Sequence, residues 1–330
     1  MSGRLAVAAL LLAGCGGGDS RGAPGGGSGD TGAGGGGGDP AGAGGTTAGA
    51  GGASATPRCS GRPGALKGAT DHAGFDAGAG GPGRHFILYE PAALDPNVPA
   101  PVVVVPHGDT ESAQHMFDVT GYPAKADAEG FVVAFPTGET GDMGPLLPGP
   151  WNVGSGVCGF GSFAGNSGDD QAFLDAILAF IDTDQCVDRD HVFISGFSMG
   201  GYLSNETGCL NPRFHGIGPA SGGTHDLSAC PGNQPMPAIL FHGTADPVIA
   251  ATCGQGARDG WAQRNGCAAT FTSEPVTGGH CEYSDACPPG GQVALCLFDG
   301  MGHAWPGENG DPAQASGSDL GWEFFKTQAW

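Results

Sequence analysis

The sequence predicts an α/β domain with a mainly parallel sheet flanked by helices. Short apolar runs typical of buried strands alternate with segments of helical periodicity, which is the order that parallel sheets require. The residues from 58 to 330 suit one domain of this class in length. Ten cysteines in this region predict disulfide stabilisation. Cys209 is expected to pair with Cys230, and Cys267 with a cysteine of the cluster 281–296.

Each element follows from a local pattern. Continuous apolar runs predict strands at 86–89, 102–105, 131–135, 192–194, 238–241 and 293–298. Helices are predicted at 113–130, at 169–181, directly after Ser198, and at 320–330. The helix at 169–181 is amphipathic, because its apolar residues share one side: Phe173, Leu174, Ile177, Leu178 and Ile181.

Residues 1–14 are predicted to be a signal peptide. Arg4 is their only charge, and the apolar run 5–13 is too short to span a membrane. Cys15 follows small residues, which resembles the lipobox of bacterial lipoproteins. This resemblance implies cleavage before Cys15 and a lipid on its sulfur, and thus a place at the surface of a bacterial envelope. The alternative is ordinary secretion, in which Cys15 is removed or incidental.

Residues 15–57 are predicted to be a disordered linker. Twenty glycines occupy the 42 positions from 16 to 57, which leaves too few apolar side chains to form a core. A flexible chain of this length spans about 35 Å between its ends, so it would tether the domain 58–330 to a lipid anchor. The alternative is a low-complexity tail with no specific role.

Charge and cysteine spacing restrict the partners. Without residues 1–14 the chain keeps 11 basic and 33 acidic side chains, a net charge of −22. This charge argues against nucleic acid and against an anionic membrane surface as partners. Membrane attachment is expected only through the lipid on Cys15. The cysteine spacings do not resemble a zinc site, and neither a metal nor another cofactor is expected.

The functional prediction depends on a turn between a predicted strand and a predicted helix. Gly196-Phe197-Ser198-Met199-Gly200 matches the nucleophile elbow of α/β-hydrolases. The turn must be sharp to expose the serine hydroxyl, and the two glycines let the strand and the helix approach. A chain with 67 glycines can contain this pattern by chance, but the strand before it and the partners after it favour a nucleophile.

A serine nucleophile needs a base, and the base needs a carboxylate, which α/β-hydrolases carry in the order Ser, acid, His. Asp246 follows the predicted strand 238–241, and active sites of α/β proteins assemble at such strand ends. Only His280 and His303 come after it, and His303 is favoured because it follows the strand 293–298. Asp246 could instead serve only an Asx-turn before Pro247.

Two backbone N–H groups are predicted to bind the oxyanion that forms during attack. The first belongs to Met199, which follows the nucleophile. The second belongs to Asp109, in the loop after the strand 102–105, with Thr110 as the alternative. His107 precedes the serine and is therefore expected to orient this loop rather than to act as the base.

Four blocks carry a family resemblance: HGDTES at 107–112, GFSMGG at 196–201, HGTADPV at 242–248 and GHAWPG at 302–307. Together they resemble the polyhydroxybutyrate depolymerase/feruloyl esterase family, secreted α/β-hydrolases related to carbohydrate esterase family 1. The resemblance covers roughly residues 65–330. It implies a triad of Ser198, Asp246 and His303, ester hydrolysis through an acyl-enzyme, and no metal.

The oxyanion loop departs from the family pattern. Many members carry a cysteine where this chain has Asp109. A carboxylate that faced the forming oxyanion would oppose its charge. We therefore expect Asp109 to contribute its backbone N–H and to turn its side chain away from the serine.

The substrate has three candidate interpretations. Feruloyl or acetyl esters of plant polysaccharide are favoured, because no separate domain for binding a crystalline polymer is visible. The alternatives are a depolymerase of hydroxyalkanoate polyesters and a non-catalytic carbohydrate-binding lipoprotein. Trp151, within the long Gly- and Pro-rich segment 141–168, and Trp305 are expected to line an acyl or aromatic pocket. The alternative places both tryptophans in the core.

Overall fold

The computed structural model describes residues 59, 61, 67–138, 149–153, 158–159, 169–232 and 234–328. The predicted signal peptide, Cys15 and the predicted linker lie outside these residues. Within the described ranges, no helix combines the length and the apolar character needed to cross a membrane.

One sheet of ten strands forms the centre of the described fold. The strands are β1 Gly68–Phe75, β2 Arg84–Glu90, β3 Ala100–Val104, β4 Val132–Thr137, β5 Val187–Ile194, β6 Gly216–Ile217, β7 Ala238–Gly243, β8 Phe271–Val276, β9 Gly279–Ser284 and β10 Val293–Phe298. They lie in the order β1-β2-β4-β3-β5-β6-β7-β10-β9-β8. The six strands from β4 to β10 in this order are parallel, and antiparallel strands complete both ends. The predicted mainly parallel sheet is confirmed.

Within the described part of the chain, six α-helices cover the two faces of the sheet. They are α1 Ala113–Val119, α2 Tyr122–Glu129, α3 Asp170–Asp184, α4 Met199–Leu210, α5 Ala251–Asn265 and α6 Gly317–Lys326. Apolar side chains of α3, α4 and α5 join one core layer, and those of α1, α2 and α6 join the other. Strand β3 alternates between them, with Val102 and Val104 in the first layer and Val103 in the second. A strand covered on both faces needs apolar residues at every position, which explains the continuous runs in the sequence.

The prediction of one helix at 113–130 is wrong. The segment forms α1 and α2, because Gly121 between them has a φ of 75°. This left-handed conformation does not fit a helix interior, and glycine adopts it without steric cost. The six predicted strands and the other helices are confirmed, with bounds that differ from the predicted ones by up to five residues. Strands β1 and β6, the β8–β9 hairpin and helix α5 were not predicted from the sequence.

Five disulfides link the described residues: Cys59–Cys186, Cys158–Cys253, Cys209–Cys230, Cys267–Cys287 and Cys281–Cys296. The predicted Cys209–Cys230 pair is confirmed, and Cys267 pairs within the predicted cluster. This number of disulfides is typical of proteins that fold in an oxidising compartment.

Candidate active site

Four loops meet at one edge of the sheet. They follow β3, β5, β7 and β10, which are parallel and therefore end on the same side. Each loop carries one of the sequence-predicted groups: Asp109, Ser198, Asp246 and His303, respectively. The carboxyl ends of parallel strands are where α/β folds place their ligands and reactive groups.

The loop after β5 is a sharp, strained turn. Ser198 has a φ of 52° and a ψ of −115°, a conformation that non-glycine residues rarely adopt. A Cβ atom on Gly196 would lie 2.3 Å from the carbonyl oxygen of Gly200. A Cβ atom on Gly200 would lie 2.1 Å from the carbonyl oxygen of Pro106 and 2.7 Å from that of His107. Both glycines of the motif are therefore required by close contact between backbones.

A line of hydrogen bonds joins the three side chains that the sequence singles out. Nε2 of His303 lies 2.9 Å from Oγ of Ser198, and its Nδ1 lies 2.7 Å from Oδ2 of Asp246. The Asp246 side chain is fully buried, and 16% of the His303 side chain is exposed. The ring of Phe197 packs on the imidazole at 4.9 Å between centroids. His280, the alternative base, lies on β9 near a glutamate and has no contact of this kind with the serine.

Asp246 both contacts the histidine and forms an Asx-turn, the two roles that the sequence left as alternatives. Its Oδ1 accepts hydrogen bonds from the backbone N–H groups of Val248, at 2.8 Å, and Ile249, at 2.9 Å. The first of these is an Asx-turn contact. Because Oδ1 is held by its own loop, Oδ2 is fixed toward the imidazole. The N–H of Gly300 donates to Oγ1 of Thr244 at 2.8 Å and so ties the acid's loop to the loop of the histidine.

Sequence reasoning assigned no role to His242, which lies beside the acid. Its Nε2 donates to the carbonyl oxygen of Ile249 at 2.9 Å and lies 3.5 Å from Oδ2 of Asp246. Burial lowers the pKa of His242. A neutral ring at this position supports the turn that holds the acid without competing for its charge. Its place in the HGTADPV block was the available signal.

The backbone N–H groups of Met199 and Asp109, near Ser198, have no acceptor within the described ranges. Met199 is the first residue of α4, where helix geometry leaves the N–H unpaired. Gly108 brings the second group close, since a Cβ atom there would lie 3.1 Å from Cβ of Ser198. The Asp109 side chain is exposed. Both predicted oxyanion donors are therefore free to donate a hydrogen bond.

His107 orients the second donor. The N–H of Gly138 donates to its Nε2 at 3.0 Å, so the ring proton resides on Nδ1, which donates to the carbonyl oxygen of Gly108 at 2.6 Å. Burial lowers the pKa of His107 to about 4, which keeps the ring neutral at neutral pH. The C=O and N–H of a trans peptide point in opposite directions. Fixing the Gly108 carbonyl toward the buried ring therefore turns the Asp109 N–H outward.

The structure corrects the expectation that two tryptophans line a substrate pocket. Trp151 is 0% exposed and Trp305 is 1% exposed, so both belong to the core. The indole N–H of Trp151 donates to the carbonyl oxygen of His107 at 2.9 Å, beneath the oxyanion loop. Trp305 packs near the rings of Tyr122 and Phe241. Most of the segment 141–168 lies outside the described residues.

One cluster of potential metal ligands occurs in the described part of the chain: Cys209, His225 and Cys230. The two cysteines form a disulfide with each other, so they offer no thiolate to a metal. The cluster therefore lacks the ligand set of a metal site.

Comparison with known proteins supports the predicted fold and the resemblance to feruloyl esterases. No family model matches the chain. The chain is 30% identical over 268 residues to feruloyl esterase B of Piromyces equi, covering 74% of this chain and 45% of that protein's length. It is 28% identical over 259 residues to feruloyl esterase C of Emericella nidulans, covering 74% and 84%. The structure resembles an acetyl xylan esterase from Aspergillus awamori, with a TM-score of 0.60, 17% identity, and 78% and 98% coverage.

These similarities confirm two sequence-based predictions. The chain has the α/β-hydrolase fold. It also resembles feruloyl esterases over about three quarters of its length, as the four sequence blocks predict.

Proposed function

We propose that this feruloyl esterase-like α/β-hydrolase is a carboxylic ester hydrolase that forms an acyl-enzyme on Ser198. One observation carries the proposal: hydrogen bonds of 2.9 and 2.7 Å run from Ser198 through His303 to Asp246. The relatives support it, because they are named as feruloyl esterases and an acetyl xylan esterase. Neutral His107 and His242 support the loops on the two sides of this line.

The proposed reaction follows from the positions of these groups. His303 removes the proton of Ser198 as Oγ attacks the ester carbonyl carbon, and the N–H groups of Met199 and Asp109 stabilise the oxyanion. Asp246 holds the imidazole tautomer and stabilises its charged form. The protonated His303 then gives its proton to the departing alcohol. Water attacks the acyl-enzyme with the same base, which releases the acid and restores the serine.

Within this class we assign the substrate to feruloyl or acetyl esters of plant polysaccharide. The names of the relatives support these two acyl groups. The protein has a net charge of −21, which disfavours binding of a polyanion. A neutral ester substrate is compatible with this charge.

We also propose a cellular location. Residues 1–14 act as a signal peptide, Cys15 carries a lipid, and residues 15–57 tether the domain 58–330 to the membrane. The five disulfides of the described residues support export to an oxidising compartment.

A hydrolysis panel tests both the activity and the substrate class. The oxidised protein and its Ser198→Ala variant are compared on p-nitrophenyl acetate, methyl ferulate, acetylated xylan and a hydroxybutyrate oligomer. We expect turnover of methyl ferulate or acetylated xylan, and a loss of kcat of at least about 10⁴-fold in the variant. Turnover of the oligomer alone would indicate a polyester depolymerase. A folded protein without activity on any substrate would favour the carbohydrate-binding lipoprotein, and a fully active variant would exclude Ser198 as the nucleophile.

A further inference from the structure

Glu111 binds both polar backbone groups of the glycine that positions the second oxyanion donor. Its Oε2 accepts the N–H of Gly108 at 2.9 Å. Its own backbone N–H donates to the carbonyl oxygen of Gly108 at 3.2 Å. A Cβ atom on Gly108 would meet this carboxylate at 2.8 Å and Cβ of Ser198 at 3.1 Å. The glutamate and the nucleophile therefore flank the same residue of the oxyanion loop.

The Glu111 side chain is itself held in place. It is 25% exposed, and its Oε1 lies 3.6 Å from Nε2 of His115. The next residue, Ser112, caps α1 by accepting the N–H of His115 on its hydroxyl. The carboxylate thus extends from a fixed helix start back to the loop, and burial raises its pKa.

The loop from Gly108 to Glu111 needs such support. Gly108 to Glu111 form a tight turn in which Thr110 has a φ of 61°. This left-handed conformation is unfavourable for a β-branched residue and persists only where surrounding contacts impose it. His107 holds the Gly108 carbonyl from the core side, and Glu111 binds both the N–H and the carbonyl oxygen of Gly108.

We propose that Glu111 is a positioning residue that keeps the Asp109 N–H aimed at the oxyanion by clamping Gly108. The inference rests on the proposed ester hydrolysis at Ser198. Glu111 acts through the loop. What the loop requires is a side chain long enough to place an acceptor oxygen at the Gly108 N–H, rather than a negative charge.

Two variants separate the effect of side-chain length from the effect of charge. Glu111→Gln removes the charge and keeps an oxygen at the same distance along the side chain. Glu111→Asp keeps the charge and shortens the side chain by one methylene. We expect Glu111→Gln to retain kcat within about threefold, and Glu111→Asp to lose about 10-fold to 100-fold in kcat, because a misaimed donor forfeits part of the oxyanion stabilisation. KM for p-nitrophenyl acetate should stay within about twofold in both, since the ground-state ester carries no oxyanion.

A boronic acid supplies a second readout, because it forms a tetrahedral adduct with the serine. Its inhibition constant should rise in Glu111→Asp by about the same factor as kcat falls. Glu308→Gln serves as a control for charge near the site, since Glu308 lies close enough to act on the charge of Glu111 but makes its only side-chain hydrogen bond within the described ranges with the neighbouring Asn309. We expect its kcat to match that of the unchanged protein.

The outcomes distinguish this inference from the proposed function. If Glu111→Asp kept full kcat and Glu111→Gln did too, Glu111 would have no positioning role. If Glu111→Gln lost kcat while Glu111→Asp stayed active, the negative charge would matter rather than the position of the oxygen. Either result would overturn the proposal. Glu111→Leu removes both the acceptor oxygen and the charge and should lose at least as much kcat as Glu111→Asp. Circular dichroism checks whether this variant folds. If it does not fold, the comparison of Glu111→Gln with Glu111→Asp decides the question. If the unchanged protein were no more active than Ser198→Ala, the proposed function itself would fail.

Discussion

The proposed active site has two halves that are built in different ways. The serine half consists of the loops at 105–112 and 195–201, where backbone groups touch each other directly. The acid–base half consists of the loops at 243–250 and 299–307, where side chains make the connections. Gly243 is the point of close backbone approach in this second half, with the carbonyl oxygen of Met301 2.2 Å from an added Cβ.

The difference predicts how each half responds to substitution. A backbone contact leaves no room for an added atom, so a glycine substitution in the serine half should disturb both the fold and the reaction. A side-chain contact tolerates a replacement of the same shape, so such a replacement in the acid–base half should remove chemistry while the fold remains. Stability and activity should therefore fall together for the glycines of the serine half and separately for the side chains of the acid–base half.

The largest expected effect is on activity in the acid–base half. In Asp246→Asn the remaining oxygen can still accept the N–H groups of Val248 and Ile249, so the loop should keep its shape. The amide group would face Nδ1 of His303 and favour the wrong tautomer, which is expected to lower kcat by about 10³-fold to 10⁴-fold. Steady-state kinetics and thermal unfolding should show lost activity with little change in Tm. Retention of kcat within tenfold would exclude Asp246 as the orienting acid.

The next effect is on stability in the serine half. Gly200→Ala places a methyl group 2.1 Å from the carbonyl oxygen of Pro106. The resulting shift of the elbow should cost about 2–3 kcal/mol in the free energy of unfolding, although alanine is the better helix former. We expect kcat/KM to fall with it by more than tenfold.

Gly256→Ala provides the matched control for this glycine. Gly256 lies in α5 with no atom within 4 Å of an added Cβ. This variant should gain about 0.5–1 kcal/mol in stability and keep its activity. Equal stability of the two variants in denaturant unfolding would contradict the close-contact explanation of the elbow.

A pH dependence of stability is expected from the serine half. Burial lowers the pKa of His107 to about 4 from its ordinary 6.5. As the pH falls through this window, the unfolded chain binds a proton that the folded ring does not bind, so folding stability is lost. Between pH 7.5 and pH 5 the loss from this group is about 2 kcal/mol. In denaturant unfolding, His107→Asn should lose about 2 kcal/mol less stability between pH 7.5 and pH 5 than the unchanged protein does. An equal loss in the two proteins would show that His107 does not contribute.

The two halves also differ in how far the sequence predicts them. The backbone-built elbow requires glycines at fixed spacing around Ser198, which makes a short and recognisable pattern. Asp246 and His303 lie 48 and 105 residues later, and chain order together with the strands before them was enough to predict that the three side chains meet. A contact such as that of Glu111 with Gly108 depends on one side-chain conformation, and no local pattern predicts it.

The fold shows the same limit. Strands buried on both faces have continuous apolar runs and were predicted, whereas β8 is an exposed edge strand whose sequence carries no such signal. Helix α5 contains three glycines and a weak apolar pattern, so its helical state depends on burial of Trp261 and Ala257 against the sheet rather than on propensity. The sequence shows a glycine at position 121, but it does not show that this glycine adopts the left-handed conformation that ends one helix and starts the next.

The smallest expected effect compares two buried tryptophans, Trp151 beneath the serine half and Trp305 in the acid–base half. The indole N–H of Trp151 donates to the carbonyl oxygen of His107, whereas Nε1 of Trp305 has no partner within the described ranges. Trp151→Phe should therefore cost about 1 kcal/mol more stability than Trp305→Phe, since only the first loses a hydrogen bond. Because both side chains are buried, KM should stay within about twofold in each. A fivefold rise of KM in either variant would show that its indole contacts the substrate, and equal stability losses would show that the bond to His107 adds nothing to the serine half.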